Sequence, residues 1–304
     1  MVRWLIWFPA LLVIIGVLYY GVGALIIHEI DDDIAFGLEA SPPQGGSQTA
    51  AVMADLIERE IDQNGWIANS PPFYPGYVLD NMPNFQNGII DALSRVSIEL
   101  LDQIARSRGS SSADRDLEIV TGRLKFPGDQ WVWDPSVSWA PQRPSQSYYR
   151  EAATALRRYN DRLAAGNAVF ERRDDNLLTT LDRISKDLGS TSAGLYQHMD
   201  DYSGRWLDTE ADDHFYRAKG KLYAYFIVLR AFEDDFAERI TDRNLTTPWQ
   251  QMLGSFEEGA TLYPWIVVNG VPDGQLTPSH LAAQGFYLLR ARTQLREISD
   301  ILLK

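Results

Sequence analysis

The chain begins with an uncharged apolar run and continues as polar sequence in which apolar residues recur at helical spacing. The run from Trp4 to Ile27 reads WLIWFPALLVIIGVLYYGVGALII and holds 24 residues without a charge. An α-helix rises 1.5 Å per residue, so the run exceeds the roughly 20 residues that cross a bilayer. A cleaved signal peptide has a shorter apolar stretch and a small-residue cleavage site, which Val22-Gly23-Ala24 matches poorly. The pattern therefore predicts an uncleaved membrane-spanning helix.

Beyond residue 48, apolar residues recur every three or four positions, which is the period of one face of an α-helix. Five such stripes predict long helices, at residues 89–104, 149–163, 177–188, 215–236 and 288–302. Another helix is expected to begin near Ser47, a favourable N-cap residue, and to end at Asn64-Gly65. The sequence therefore predicts an all-α fold, a membrane helix followed by a bundle of roughly six or seven helices.

Three stretches interrupt this helical pattern. Residues 69–85 hold four prolines and predict an ordered loop, and residues 127–146 are rich in Pro and Trp. Residues 262–274, LYPWIVVNGVPDG, look extended and contain the turn pair Asn269-Gly270. This last stretch predicts either a short β-hairpin or a buried loop.

The charges that flank the apolar run give it a direction. Arg3 and the α-amine precede it, and an acidic stretch follows it. The positive-inside rule then predicts a cytoplasmic N-terminus and a domain on the other side of the membrane. We divide the chain into an anchor at 1–30, an acidic juxtamembrane segment and flexible tether at 31–48, and a helical domain at 49–304.

Composition narrows the possible functions. The 304 residues carry a net charge of −13, and removing residues 1–27, whose single charge is Arg3, leaves 27 basic against 41 acidic residues, or −14. A domain of this charge is not expected to bind nucleic acid, and a weakly basic partner suits it better. The absence of cysteine excludes a thiol nucleophile, a disulfide framework and a zinc–thiolate site. No phosphate-binding glycine loop is present, and we expect no cofactor.

Several stretches resemble a known family. They are WVWDPSVSWAPQRPSQSYYREA at 131–152, ERRDDNLLTTLDRISKDLGSTSAGL at 171–195, and YPWIVVNGVPDGQLTPSHLAAQGFYLLRARTQLREISDIL at 263–302. Together with the anchor, they resemble a family of uncharacterised inner-membrane proteins of Gram-negative bacteria. The resemblance implies a bacterial inner membrane and a periplasmic domain. It implies no activity, cofactor or catalytic residue.

Two groups of polar residues are candidates for chemistry. His198, Asp200, Asp212 and His214 could form a metal site of nitrogen and oxygen ligands if a turn brought them together. The simpler interpretation is that the acids cap the helix that begins there.

Carboxylate pairs could instead cleave glycosidic bonds, for which Asp134, Asp208 and Glu210 are candidates because each follows a Trp. Such an enzyme needs two carboxyl groups roughly 5–10 Å apart, one of them with a raised pKa. A periplasmic hydrolase acting on peptidoglycan is therefore the alternative function.

The segment WVWDPSVSW is more specific than either group. Trp131 and Trp133 would share one side of an extended segment and, with Trp139, could present an aromatic platform to a ligand or partner. The competing interpretation is that the rings fasten an irregular loop to the helices. Since no catalytic motif is present, the sequence favours a membrane-tethered envelope interaction or scaffold protein, with a protein or peptidoglycan partner.

Overall fold

The computed structural model describes residues 2–107, 114–202, 208–270 and 278–304. The described residues are all-α, as predicted, and form ten α-helices, in chain order α1 (Val2–Ile27), α2 (Gln48–Glu58), α3 (Asn81–Ser107), α4 (Arg115–Leu124), α5 (Ser145–Ala164), α6 (Asp174–Asp201), α7 (Ala211–Asp235), α8 (Ala237–Asp242), α9 (Thr246–Ala260) and α10 (His280–Leu302). One π-helical turn, Arg59–Gln63, extends α2, and a 3₁₀ turn, Pro75–Val78, precedes α3.

The first helix differs from the others in its apolar composition and its exposure. Its segment Trp7–Ile27 has a mean hydropathy of 2.5, and none of it is buried inside the protein. Among the described helices, α1 alone is long and apolar enough to cross a membrane. By length and composition it fits a membrane anchor or a signal sequence.

The core of the domain is built around α7, which packs against α2, α3, α9 and α10. The α3–α7 contact is close because two glycines face the partner backbone. A Cβ atom at Gly88 would lie 2.2 Å from the carbonyl oxygen of Arg217, and one at Gly220 would lie 2.0 Å from that of Phe85. No larger side chain fits at either position without moving the helices apart.

The apolar stripes predicted the long helices correctly, and they lie in α3, α5, α6, α7 and α10. Ser47 caps α2 as expected, since its side chain accepts a hydrogen bond from the Ala50 N–H. Three helices, α4, α8 and α9, were not predicted. Helices α4 and α8 have only 10 and 6 residues, too few for a long apolar stripe, whereas α9 carries a stripe (Trp249, Leu253 and Phe256) that the prediction did not include.

The extended stretch forms no strand within the described residues. Asn269 and Ser279 make one isolated antiparallel bridge, and residues 271–277, where a hairpin would turn, lie outside the described part of the chain.

Residues 31–46, which we call the neck, are packed on the domain, whereas the sequence predicted a flexible tether there. Gln48 donates to the carbonyl oxygen of Ala40 (3.0 Å), and Arg172 donates to that of Gly46 (3.1 Å). A Cβ atom at Gly46 would lie 2.6 Å from the Asn160 side-chain oxygen. The segment departs from the prediction because partners distant in sequence bind its backbone. The division at residues 30 and 48 stays a prediction.

Candidate functional site

A groove of about 870 Å³ lies beside α1. One wall is residues 67–80, which we call the proline loop, and the other is residues 127–144, which we call the Trp-rich loop. Aromatic, proline and carboxylate side chains dominate the lining; Tyr20, Phe73, Tyr77, Asp129, Trp131, Trp133 and Asp134 belong to it. Helix α1 thus contributes directly to the groove, through Tyr20.

Hydrogen bonds from buried polar groups join the two walls. The Trp66 indole donates to the carbonyl oxygen of Gly128 (2.7 Å). The Asn69 amide donates to the carbonyl oxygen of Gln130 (2.8 Å) and to the side chain of Gln146 (2.6 Å). These bonds satisfy polar groups that would otherwise be costly to bury, so they fix the spacing of the walls.

The Trp-rich loop leaves two of its three rings in solvent. Trp133 is 46% exposed and Trp139 is 80% exposed, and the Trp133 indole donates to the Trp139 carbonyl oxygen (3.3 Å). Trp131 is half-buried and meets Phe73 edge-on at 5.6 Å between ring centroids. The loop therefore presents aromatic surface at the groove, and only Trp131 packs as the competing interpretation expected.

The candidate carboxylate on this wall, Asp134, is occupied by its own loop. It accepts hydrogen bonds from the Ser136 N–H (2.9 Å) and hydroxyl (2.6 Å), which lower the pKa of Asp134. A general acid for glycoside cleavage needs a raised pKa. Asp134 therefore suits a turn-forming role, and the hydrolase stays an untested alternative.

The other two candidate carboxylates lie in a different place, at the junction of α6 and α7. The His198 Nε2 atom lies 2.9 Å from the Asp208 carboxylate, which also accepts a bond from Asn269 (2.9 Å). Burial alone would raise the pKa of Asp208, but the bonds from Asn269 and His198 hold it below its ordinary value. Glu210 is exposed and accepts the Tyr202 hydroxyl (3.0 Å).

Only part of the predicted metal cluster comes together. The rings of His198 and His214 lie 4.4 Å apart between centroids, while Asp200 is exposed on α6. Asp212 instead faces Asp80 and Asp213, and one ligand atom from each of these three residues lies within 4.8 Å of the others. Among the described residues this acidic trio is the group that could hold a cation.

Helix α1 contacts the proline loop directly. The Tyr19 hydroxyl donates to the carbonyl oxygen of Phe73 (3.1 Å), and that of Tyr20 donates to Pro72. A Cβ atom at Gly23 would lie 2.5 Å from the ring of Pro75, so only glycine fits there in this arrangement. The last turns of α1 therefore lie against one wall of the groove.

Two buried cations hold the beginning of the neck. The Arg59 side chain is 2% exposed and pairs with Asp31 (3.2 Å) and Glu60 (2.7 Å). The Lys219 side chain is fully buried, and its ammonium pairs with Asp32 at 2.7 Å. Burial lowers the pKa of Lys219 and raises that of Glu60, and in each case the charged partner opposes the effect.

The backbone of the neck is bound as well. The Tyr223 hydroxyl donates to the carbonyl oxygen of Asp33 (2.8 Å), and the guanidinium of Arg230 donates to the carbonyl oxygens of Ile34 and Phe36. These roles of Arg59 and Lys219 were not predicted. A signal was present for Lys219, a lone charge within the apolar stripe of α7.

Comparison with other proteins identifies a family and no characterised relative. No curated protein and no solved structure matches the chain. A family model described as an uncharacterised protein conserved in bacteria matches residues 35–205 and 201–304, which is well over half of the chain. The chain therefore belongs to this DUF2333 family.

Proposed function

We propose that this chain is a single-pass protein of the bacterial inner membrane, with its N-terminus in the cytoplasm and its helical domain in the periplasm. The length of α1 supports a spanning helix. The charge on Arg3 before it, and the acids of the neck after it, support the direction. In this proposal, residues 1–30 are the anchor, 31–48 the juxtamembrane segment and 49–304 the periplasmic domain.

The domain acts as an interaction protein that holds an extended, apolar segment of a second envelope protein in the groove. The single observation that carries this function is the open groove whose walls are rich in proline and aromatic residues, next to Tyr20 of the anchor. Grooves lined by aromatic rings bind extended peptides, because the rings cover apolar side chains and prolines without needing a fixed hydrogen-bond pattern. The volume of about 870 Å³ lies within the usual range for binding pockets.

The expected partner segment carries basic residues beside its apolar ones. Asp129 and Asp134 both line the groove, and Asp129 is exposed. Residues 28–304 carry a net charge of −14, which adds a negative electrostatic potential around the groove. Complementary charge speeds association and excludes acidic competitors, so it favours a basic segment.

Site-specific photo-crosslinking in cells tests this function. A photoreactive phenylalanine analogue at position Trp133 is expected to give one discrete protein adduct. Asp129→Lys should weaken that adduct severalfold, because it opposes a basic segment. Glu238→Lys, an exposed acid on α8, is the matched control and should leave the adduct unchanged. An absence of adducts, or equal weakening by both variants, would contradict the proposal.

A further inference from the structure

We infer that the domain makes a second, non-spanning contact with the membrane: residues 71–78 and 262–266, which we call the foot, enter the lipid interface beside α1. The partner is the phospholipid of the leaflet that the domain faces. The inference rests on the proposed function for the spanning role of α1, and it goes beyond that function because it needs no occupant in the groove.

The depth of the first foot segment follows from its contacts with α1. The apolar segment of that helix ends at Ile27. Tyr19 and Gly23, which contact Phe73 and Pro75, precede this end by eight and four residues. At 1.5 Å per residue, the contacts lie roughly 6–12 Å inside the end of the helix. If α1 spans the bilayer, residues 72–75 therefore lie just inside the acyl-chain region, below the headgroups.

The second segment is held next to the start of the neck. Lys219 donates to the carbonyl oxygen of Leu262 (2.8 Å) while it pairs with Asp32. The ring of Tyr263 lies 5.3 Å from the same ammonium. Asp32 follows the end of α1 by five residues, so this segment also lies close to the membrane end of the domain.

Both segments expose large apolar side chains. Trp265 is 99% exposed and Ile266 is 76% exposed. In the first segment the exposed side chains are Phe73, Tyr74, Tyr77 and Val78. Trp and Tyr are enriched where membrane meets water, because their rings prefer the apolar side and their polar atoms the wet side. Exposure of this kind in two separate loops that adjoin one anchor fits a lipid interface.

The backbone of the foot is suited to partial dehydration. Neither segment carries a charged residue, and together they contain four prolines, which have no N–H to satisfy: Pro71, Pro72, Pro75 and Pro264. Turn hydrogen bonds satisfy two further backbone N–H groups. Those of Tyr74 and Tyr77 donate to the carbonyl oxygens three residues earlier (2.9 and 3.0 Å). The contact is apolar rather than electrostatic, because the acidic domain does not attract anionic lipid.

Spin labelling of the full chain tests the inference, and the absence of native cysteine makes every introduced thiol unique. The variants Val78→Cys and Ile266→Cys place a nitroxide on each foot segment. Val13→Cys reports on α1, and Glu238→Cys reports on the exposed helix α8, beyond the far end of α7. The protein is reconstituted in phosphatidylcholine vesicles, and collisions with oxygen are compared with those with a water-soluble nickel chelate.

We expect the oxygen-to-nickel collision ratio to be highest at Val13, severalfold above the Glu238 value at both foot positions, and unchanged at the foot in 1 M KCl. Foot labels that match the Glu238 value while Val13 is lipid-like would overturn the inference and leave the proposed anchor intact. A collision ratio at the foot that falls to the Glu238 value in 1 M KCl would also overturn the inference, because salt does not weaken an apolar contact. A water-like label at Val13 would overturn the anchor and the inference together.

Discussion

The neck and the Trp-rich loop are both irregular segments beside α1, and they differ in the contacts that their side chains make. The neck pairs with charged groups buried in the domain: Lys219 of α7 is fully buried against Asp32. In the loop, large aromatic groups are outside, and Trp139 is 80% exposed. A buried pair holds one geometry because separating it leaves an unpaired charge, whereas an exposed ring remains free to contact another molecule. We therefore expect the neck to position the domain and, in the proposed function, the loop to contact the partner.

The strongest test of the neck is Arg59→Ala. The substitution leaves the Glu60 carboxylate, 2% exposed, without its cation and removes a bond to the Asp31 carbonyl oxygen. Loss of one partner of a buried pair costs roughly 3–5 kcal/mol of unfolding free energy. Urea unfolding of the full chain in detergent, followed by circular dichroism, measures the change. Arg173→Ala, which breaks an exposed pair with Asp175, should have little effect, and equal effects of both substitutions would remove the distinction.

A second test uses the asymmetry of the Lys219–Asp32 pair. Asp32→Ala leaves a fully buried ammonium without its carboxylate partner, so we expect a loss of roughly 2–4 kcal/mol of unfolding free energy. Lys219→Met leaves Asp32, which is 31% exposed and can be hydrated, and should cost only about 1 kcal/mol. The same unfolding measurement decides the order. A larger loss of unfolding free energy for Lys219→Met than for Asp32→Ala would contradict this account, in which Asp32 stabilises the fold by neutralising the buried ammonium.

A smaller effect is expected where the proline loop ends at Asp80, because three carboxylates meet there. Burial and the neighbouring acids raise the pKa of Asp213 to about 6. The folded state therefore holds its proton more tightly than the unfolded state does. The stabilisation that protonated Asp213 gives the folded state is fully present below pH 4 and is lost as the pH rises through 6. With solvent screening it amounts to roughly 1 kcal/mol. Asp213→Asn should flatten the stability between pH 4 and 6, and an unchanged profile would contradict this assignment.

The smallest effect on stability is expected in the Trp-rich loop. Because Trp133 is 46% exposed, Trp133→Ala should cost less than about 1 kcal/mol and yet reduce partner crosslinking from a photoreactive analogue at position Phe73. Trp249→Ala, at a fully buried ring in α9, is the matched control and should cost roughly 3–5 kcal/mol. A similar cost for both substitutions would mean that the loop is structural.

Local patterns in the sequence predicted the helices because each stripe is complete within about 25 residues. The apolar helix α1, the α2 cap at Ser47 and the five long helices all depend on neighbours in sequence. The neck was predicted incorrectly for the opposite reason. Its partners Arg59 and Lys219 lie 28 and 187 residues away from Asp31 and Asp32, and no local pattern reports pairs so far apart.

The candidate site was only partly predictable. The sequence singled out Trp131, Trp133 and Trp139, but the exposure of each ring depends on how the loop folds against Phe73. The proline loop was recognised as ordered, without its place beside α1. The predicted metal site of His and Asp residues does not form as a whole, because Asp212 at the start of α7 faces Asp80 instead of the histidines.

The domain lies directly against the end of α1 through the proline loop, and a cysteine pair across that contact tests this claim. Gly23→Cys with Pro75→Cys joins positions whose Cβ atoms would lie 2.5 Å apart, so a small shift allows a disulfide. Gly16→Cys with Pro75→Cys is the control, since nothing lies within 4 Å of a Cβ atom at Gly16. In oxidised membrane vesicles, thiol labelling followed by mass spectrometry should find the first pair closed and the second open. Free thiols in both pairs, or equal closure of both, would contradict the claim.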